Sequence, residues 1–250
     1  MGAAMNMEAE RTRRRARVRL VPLLTSVHKW LGLIVGVQIV LWCASGAFFA
    51  LIPIERVRSE HRLGAQAPTA LPREALTNLD GVLRTLPQAP SEVTVTHRLA
   101  RPVALISFTE GAPRLYDLAT GARLSPISGD QAAAAARAAI ANAGAVRAVR
   151  HVTQETPEYR GVLPAWRVAF ADREGLAVYV AADTGAVAAR RSDLWRLYDA
   201  LWALHIMDWR DHENFNTGIL IAFSLAALVV ALAGLALLPY KLRLPNRRSG

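Results

Sequence analysis

Two long apolar runs near the ends of the chain constrain its fold more than any other feature. The run Leu31–Ile52 has 22 residues and the run Phe215–Pro239 has 25, and neither contains a formally charged side chain. A helix needs about 20 residues to cross the roughly 30 Å hydrocarbon core of a bilayer, because each residue adds about 1.5 Å. The two runs therefore predict two transmembrane helices that bracket 162 residues of ordinary sequence.

Positive charge is concentrated in the short flanks outside the two runs. The flanks contain 11 Lys and Arg residues against Glu8 and Glu10, whereas the segment Pro53–Asn214 contains 19 Arg and 18 Asp or Glu. Short basic flanks stay on the cytoplasmic side of a membrane. We therefore expect a bacterial inner-membrane protein with both termini in the cytoplasm and its central domain in the periplasm.

The high pI, near 10.9, does not indicate a nucleic-acid partner. A protein that binds nucleic acid concentrates its positive charge on a folded face. Here the basic residues flank apolar runs, where anionic lipid attracts them. The charge distribution thus predicts the lipid bilayer as a partner and no nucleic acid.

The first run can also be compared with a signal peptide, because basic residues precede it and small residues, Ala47 and Ala50, lie near its end. The apolar core of a signal peptide usually has about 7 to 15 residues, and this run is longer. We interpret it as an uncleaved anchor. The only cysteine, Cys43, lies inside this run, so we expect the central domain to be stable without a disulfide.

The segment between the runs predicts a small α+β domain. Helical spacing of apolar residues predicts a helix over Pro72–Leu86, and an Ala-rich segment predicts another over Gly129–Gly144, with Asp130 as N-cap and Gly144 as the end. Alternating β-branched and aromatic residues predict five strands. These strands are Val93–His97, Val103–Phe108, Arg114–Leu118, Trp166–Ala171 and Leu176–Ala181.

Two strand ends carry the same motif, 64 residues apart. The first is Tyr116-Asp-Leu-Ala-Thr-Gly121 and the second is Val180-Ala-Ala-Asp-Thr-Gly185. A Thr-Gly pair after a strand supplies the positive φ that a tight turn requires. We therefore expect two hairpins that end alike.

Four segments of the chain resemble a known family. The hairpin that contains Pro164-Ala-Trp-Arg-Val-Ala-Phe170 and Val178-Tyr-Val-Ala-Ala-Asp-Thr-Gly-Ala-Val187 resembles a PepSY domain. The segments His28-Lys-Trp-Leu-Gly32 and Leu204-His-Ile-Met-Asp-Trp209 resemble the PepSY-associated transmembrane family. The resemblance implies a domain of β-hairpins packed with a helix. Larger members have four or more spans, bind haem b through membrane histidines and reduce iron–siderophore complexes, whereas other PepSY domains are thought to bind proteins or inhibit peptidases.

His28 lies near the inner end of the first run. Helical spacing places it on one stripe with mostly small residues, which are Gly32, Gly36, Ile39, Cys43, Ala47 and Ala50. Small residues allow another helix or a flat macrocycle to approach the backbone closely. The stripe fits a helix-packing seam, and the family resemblance adds the alternative of a haem ligand beside a glycine slot.

His205 and His212 precede the second run. A recurrence of tryptophan every seven residues predicts an amphipathic interfacial helix over residues 193–213. The tryptophans are Trp195, Trp202 and Trp209. If the helix continues through residue 212, then His205, Asp208 and His212 share one face. The two histidines fit either the polar edge of an interfacial helix or, by the resemblance, haem ligation.

His28 and His205 cannot ligate one haem within a single chain, because the predicted topology places them on opposite sides of the membrane. Roughly 20 helical residues, about 30 Å, separate the two levels. Three arrangements remain open. Two copies of His28 pair across a homodimer seam; His205 or His212 pairs with His61, which lies just past the first run; or a partner subunit supplies the second ligand. A homo-oligomer or a larger membrane complex is therefore expected.

The remaining histidines, His97 and His151, lack neighbours at metal-ligand spacing, and we interpret both as structural or surface residues. No phosphate loop, nucleophile elbow or zinc-protease motif is present in the sequence. The chain is thus at most part of a membrane reductase. The resemblance implies an electron-transfer component with haem b in iron or siderophore metabolism. The alternatives are a non-catalytic interaction or peptidase-inhibitor module, and a subunit whose spans pack against a larger complex.

The predicted fold class is an α+β membrane protein with two transmembrane helices that flank a periplasmic PepSY-like domain. In chain order the expected segments are a basic cytoplasmic tail (1–20), the first transmembrane helix (21–53), the PepSY-like domain (54–192), the interfacial helix (193–213), the second transmembrane helix (214–240) and a cytoplasmic tail (241–250).

Overall fold

The structure is a computed structural model, and it describes residues 2–64 and 70–241. The chain forms two compact units. One unit, here called the helical unit, comprises the described parts of Met1–Ala50 and Leu201–Gly250, and the other, the central unit, comprises those of Leu51–Ala200. The helices are α1 (Gly2–Leu51), α2 (Ile54–Val57), α3 (Arg73–Arg84), α4 (Gly129–Ala139), α5 (Asp193–Ile206) and α6 (Gly218–Lys241).

The described residues form seven strands in two antiparallel sheets. The first sheet has the order β1 (Glu92–Arg98), β2 (Arg101–Ser107), β3 (Arg114–Asp117). The second has the order β4 (Ala145–Val152), β5 (Ala165–Ala171), β6 (Ala177–Ala181), β7 (Val187–Arg191).

The helical unit contains two helices with the length and composition of membrane spans. Within α1 the segment Pro22–Leu51 has a mean hydropathy of 2.0, and within α6 the segment Gly218–Pro239 has a mean hydropathy of 2.7. The first span belongs to a longer helix, because α1 runs without a break from Gly2. Helix α1 ends at Leu51. The next residue, Ile52, precedes Pro53, and a helical conformation is disfavoured for a residue that precedes proline.

The central unit is built from two similar layers of one helix on one sheet. Helix α3 packs its Ala75 and Val82 against Ile106 of the first sheet. Helix α4 packs on the second sheet, and Val103 of the first sheet belongs to the same hydrophobic core. This arrangement confirms the predicted α+β class and the β-hairpins packed with a helix.

The two Thr-Gly motifs form the same turn, as their sequence predicts. The N–H of Gly121 donates to the carbonyl of Asp117 at 2.8 Å, and the N–H of Gly185 donates to the carbonyl of Ala181 at 2.9 Å. The two glycines have φ values of +72° and +64°. Because each turn follows a helix and three antiparallel strands, the central unit is an internal structural repeat.

The bounds of α4 differ from the prediction at both ends. Ser128, not Asp130, is the N-cap, and it forms a capping box with Gln131. The helix ends at Ala139, five residues before Gly144, because Ile140 has an extended backbone and forms a β-bridge with Leu63.

Two strands, β4 and β7, were not predicted. In β4 a register shift between Val146 and Ala148 interrupts the alternation of apolar residues. In β7 the sequence Val187-Ala-Ala-Arg-Arg191 has little β propensity of its own. Both strands form because a stronger neighbour, β5 or β6, offers backbone partners.

The predicted interfacial helix over 193–213 was too long. Helix α5 ends at Ile206, because Met207 adopts a left-handed backbone with φ +53° and the N–H of Asp208 returns to the carbonyl of Ala203 at 3.1 Å. The expectation that His205, Asp208 and His212 share one helical face is therefore wrong. The second span begins at Gly218 instead of residue 214.

Candidate functional site

His28 on α1 is held by the backbone of α6. Its Nδ1 lies 2.9 Å from the carbonyl oxygen of Val230. A carbonyl oxygen only accepts, so Nδ1 donates this bond; in the neutral imidazole Nε2 then keeps its lone pair. The ring fits beside Gly234, where a Cβ atom would lie 3.0 Å from His28 Cε1. Glycine at position 234 thus leaves the space that the imidazole fills.

His205 at the end of α5 is held in the same tautomer by a hydroxyl. Its Nδ1 lies 2.7 Å from Ser45 Oγ. That oxygen donates its single proton to the carbonyls of its own helix, mainly Leu41 at 2.7 Å, in the usual back-bonded arrangement. Ser45 therefore accepts from the imidazole, and His205 Nε2 keeps its lone pair.

An aromatic cluster surrounds His205. The ring centroids of Phe49, Trp42 and Trp202 lie 5.5, 6.4 and 6.5 Å from that of the imidazole. Trp42 Nε1 also donates to the carbonyl of His205 at 2.7 Å. Burial lowers the pKa of His205. Burial thus favours the neutral imidazole, the state in which histidine binds metal ions.

The two histidines occupy different levels of the helical unit. His28 and Ser45 are 17 residues apart on α1, which corresponds to about 25 Å along the helix axis. The His28 level and the His205 level are therefore too far apart for the two imidazoles to share one ligand.

Only part of the predicted small-residue stripe on α1 packs against α6. A Cβ atom at Gly32 would lie 3.7 Å from Val230, but one at Gly36 would have nothing within 4 Å, and Cys43 is exposed. Within the part of α1 whose side chains are described, residues 22–51, the buried residues are instead Val35 and Ser45. The packing face thus runs beside the predicted stripe.

His212 lies in the loop between α5 and α6 with a left-handed backbone, φ +57°. Its carbonyl accepts a hydrogen bond from Trp202 Nε1 at 3.1 Å. The structure therefore fixes the backbone of His212 close to the aromatic cluster and not on the helical face with His205.

Asp208 organises this loop. Its carboxylate accepts from the backbone N–H groups of Asn214 (2.9 Å), Glu213 (3.0 Å), Asp211 (3.2 Å) and Arg210 (3.3 Å). These bonds, that of Asn214 foremost, lower the pKa of Asp208 to about 2. Asp208 thus acts as a permanent anion that closes the loop.

The other three histidines belong to the central unit. His61 lies in the short 3-10 helix Glu60–Arg62, with its Nε2 3.7 Å from Glu174 Oε1. His151 stacks at 4.6 Å on Trp166, and His97 lies within β1. Among the side chains that the structure describes, those of residues 22–64 and 70–239, no group of three or more His, Cys, Asp or Glu is arranged to hold a metal ion.

Sequence reasoning missed the groups that orient the histidines. Ser45 and the carbonyl of Val230 lie 160 and 202 residues from the imidazoles that they bind. A serine within an apolar run is a weak sequence signal. The motif Leu204–Trp209 contains Asp208, but the sequence does not show that its carboxylate binds the backbone N–H groups of the following loop.

Comparison with known proteins adds one match. A family model described as the PepSY-associated TM region matches residues 25–250. No curated protein and no solved structure matches the chain. The match covers both apolar helices, the central unit and both histidine motifs, and it confirms the resemblance found in the sequence. The chain is therefore a membrane protein that belongs to the PepSY-associated transmembrane family.

Proposed function

We propose that this protein is a haem b-binding electron-transfer component in iron or siderophore metabolism, in which His28 and His205 would each supply one iron ligand. One observation carries the proposal. Both imidazoles have Nδ1 committed to a hydrogen bond, whereas Nε2 has no hydrogen bond from any described residue. A metal-ligating histidine usually has this arrangement, since its second nitrogen donates to a carbonyl or another polar group that fixes the ring.

The residues around the two imidazoles fit a haem ligand. Val230 fixes the tautomer of His28, and Ser45 fixes that of His205. The aromatic rings of Trp42, Phe49 and Trp202 lie around the His205 imidazole and partly bury it. Haem b, when bound, supplies one-electron redox chemistry, and the protein tunes it through ligand identity, hydrogen bonding and burial.

His28 and His205 cannot bind the same haem, because about 25 Å separates their levels. Each level therefore needs a second ligand from another residue. We propose a second copy of the chain or a partner subunit as its source. His212 and His61 are the reserve ligands within the chain. With the second ligand supplied from outside the chain, the protein forms a homo-oligomer or part of a larger membrane complex.

We further propose that the protein lies in a bacterial inner membrane, with both termini in the cytoplasm and the central unit in the periplasm. The 11 basic residues of the two flanks support this orientation. Protease added to intact spheroplasts should cut the central unit. Cleavage only in inside-out vesicles would establish the opposite topology.

The test of the haem proposal is the visible spectrum of the purified protein before and after dithionite. We expect a Soret band that shifts on reduction, and its amplitude should fall by about half in His28→Ala and in His205→Ala, because each variant removes one of two ligand levels. His151→Ala, in the central unit, is the matched control and should keep the full amplitude. A protein from haem-replete cells that shows no Soret band would contradict the proposal.

A second candidate function is a non-catalytic interaction or peptidase-inhibitor module anchored in the membrane. The observation in its favour is the edge of β1, which pairs on one side only among the described strands. An extended peptide adds to such an edge through backbone hydrogen bonds. If this is the function, His28→Ala and His205→Ala should leave it intact, and a proline in β1 should abolish it.

A further inference from the structure

Strand β1 has one free edge. It pairs with β2 along all seven residues without a register shift, and His97 lies opposite Pro102. Proline has no N–H, so this is a non-hydrogen-bonded pair. Since such pairs alternate with hydrogen-bonded ones, the N–H and C=O groups of Val93, Val95 and His97 point away from β2. No described residue forms a hydrogen bond with these groups.

The other sheet edges carry features that discourage strand addition. Strand β4 has a register shift after Val146 and exposes Arg147 and Arg150. Strand β7 is shifted in register against β6. Strand β3 has only four residues, and Tyr116 in it bridges to Arg123. Bulges, charges and short strands are the usual means of protecting an edge, and β1 has no bulge and seven regular residues.

Charged side chains without an ion pair mark the two ends of β1. Arg98 has a buried Nε with no hydrogen-bond partner, and it forms no ion pair with a described residue. Burial lowers the pKa of its guanidinium. Glu92, at the other end, accepts only a 3.3 Å hydrogen bond from Thr94 Oγ1 among the described residues. Both side chains lie on the same face of the strand, because six residues separate them.

The sequence of β1 is self-complementary when two copies run antiparallel with Val95 at the centre. Arg98 then lies opposite Glu92 of the second copy, His97 opposite Val93, and Thr96 opposite Thr94. Val93, Val95 and His97, whose backbone groups point away from β2, exchange backbone hydrogen bonds with the same three residues of the second copy. The pair of Arg98 with Glu92 occurs twice, once at each end, because of the two-fold symmetry. Opposite charges and Thr–Thr pairs are among the favourable cross-strand combinations.

We propose that a second copy of this chain pairs with β1, antiparallel about Val95, and joins two three-stranded sheets into one sheet of six strands. The interface is isologous, since the same strand serves on both sides. A second copy fits better than an unrelated peptide, because Glu92 of that copy lies opposite Arg98 and supplies the carboxylate that Arg98 does not find within its own chain. The proposal does not rest on haem, since no residue of β1 is a proposed ligand.

The first test is a charge swap, measured as the dimer dissociation constant of the full chain in nanodiscs by mass photometry. Glu92→Arg or Arg98→Glu should weaken the dimer about tenfold or more, because each places like charges opposite each other twice. The double variant restores both pairs with reversed charges and should return the constant to that of the wild type. Arg150→Glu on β4 is the control and should have no effect.

The second test reads the register directly and does not depend on the strength of the dimer. In a Cys43→Ala background, chains with Thr94→Cys are mixed with chains with Thr96→Cys and oxidised. The mixture should form a disulfide-linked dimer, because the two positions are opposite each other. Either chain alone should form much less, since its own pairs are diagonal and about 7–8 Å apart.

Two results would overturn the proposal. One is a wild-type dimer that is unaffected by the single charge reversals and gives no mixed disulfide, which would assign dimerisation to another surface. The other is a monomer over the whole concentration range, including one that captures an extended peptide on β1. Circular dichroism of each variant establishes that the strand is still folded.

Discussion

The replacement Ser45→Ala tests the orientation of His205 without touching the imidazole. Ser45 is 2% exposed, and its Oγ is 2.7 Å from His205 Nδ1. Alanine removes this acceptor and leaves the Nδ1–H unpaired in an aromatic surrounding. An unsatisfied buried donor costs about 1–3 kcal/mol. The ring can avoid that cost only by rotating or by moving its proton, and both changes alter the position of the Nε2 lone pair.

The magnitude follows from the role of such groups in metal sites. Removal of the partner that orients a ligating histidine typically lowers affinity by about 10–100-fold. We expect a loss of this size in the haem affinity of the His205 level, measured by titration of the apoprotein in detergent. The His28 level should be unaffected. Ser224→Ala, on the exposed side of α6, is the matched control and should bind as the wild type does.

Two results would refute this reasoning. One is an unchanged haem affinity in Ser45→Ala, which would mean that the hydroxyl does not fix the imidazole. The other is an equal loss at both levels, which would indicate general destabilisation of the helical unit. Thermal unfolding of the apoprotein separates the second result from a local effect.

Three further predictions follow from single contacts. Gly234→Ala should displace the His28 ring, because its Cβ would lie 3.0 Å from Cε1, and it should weaken haem binding at that level alone in the same titration. Asp208→Asn should remove an acid-dependent step in Trp209 fluorescence. The pKa of the Asp208 carboxyl is lowered from 3.8 to about 2. The carboxylate therefore stabilises the loop fully above pH 3.8, and this stabilisation is lost as the pH falls towards 2. Gly175→Ala should lower the free energy of unfolding by roughly 1–2 kcal/mol in a denaturant titration, because φ is +58° and the new Cβ would meet Asp193 at 2.6 Å.

The features that the sequence predicted well are encoded locally. A distinctive composition or periodicity marks each of the two apolar runs, the α3 helix and the five predicted strands. The glycines of the two Thr-Gly turns, Gly121 and Gly185, indicate the positive φ that the structure has there. The missed elements have no such local signal. Strands β4 and β7 depend on pairing with β5 and β6. Helix α5 ends at Ile206 because Met207, a residue type that rarely adopts a left-handed backbone, does so here.

The candidate site divides in the same way. The candidates His28 and His205 were chosen from their motifs, and helix geometry alone predicted that they lie at different levels. The groups that select their tautomers could not be predicted, because the bonds to Val230 and Ser45 join residues 202 and 160 positions apart. Such pairings depend on the rotation of α1 against its neighbours, and hydropathy does not determine that rotation.

The central claim, that His28 and His205 each ligate haem b, is tested most directly by the haem content per chain of protein purified from haem-replete cells. We expect bound haem in the wild type, about half as much in either single histidine variant, and none in the double variant, because each imidazole supports one of the two levels. An amount of haem that is unchanged in the double variant, or no haem in the wild type, would contradict the account.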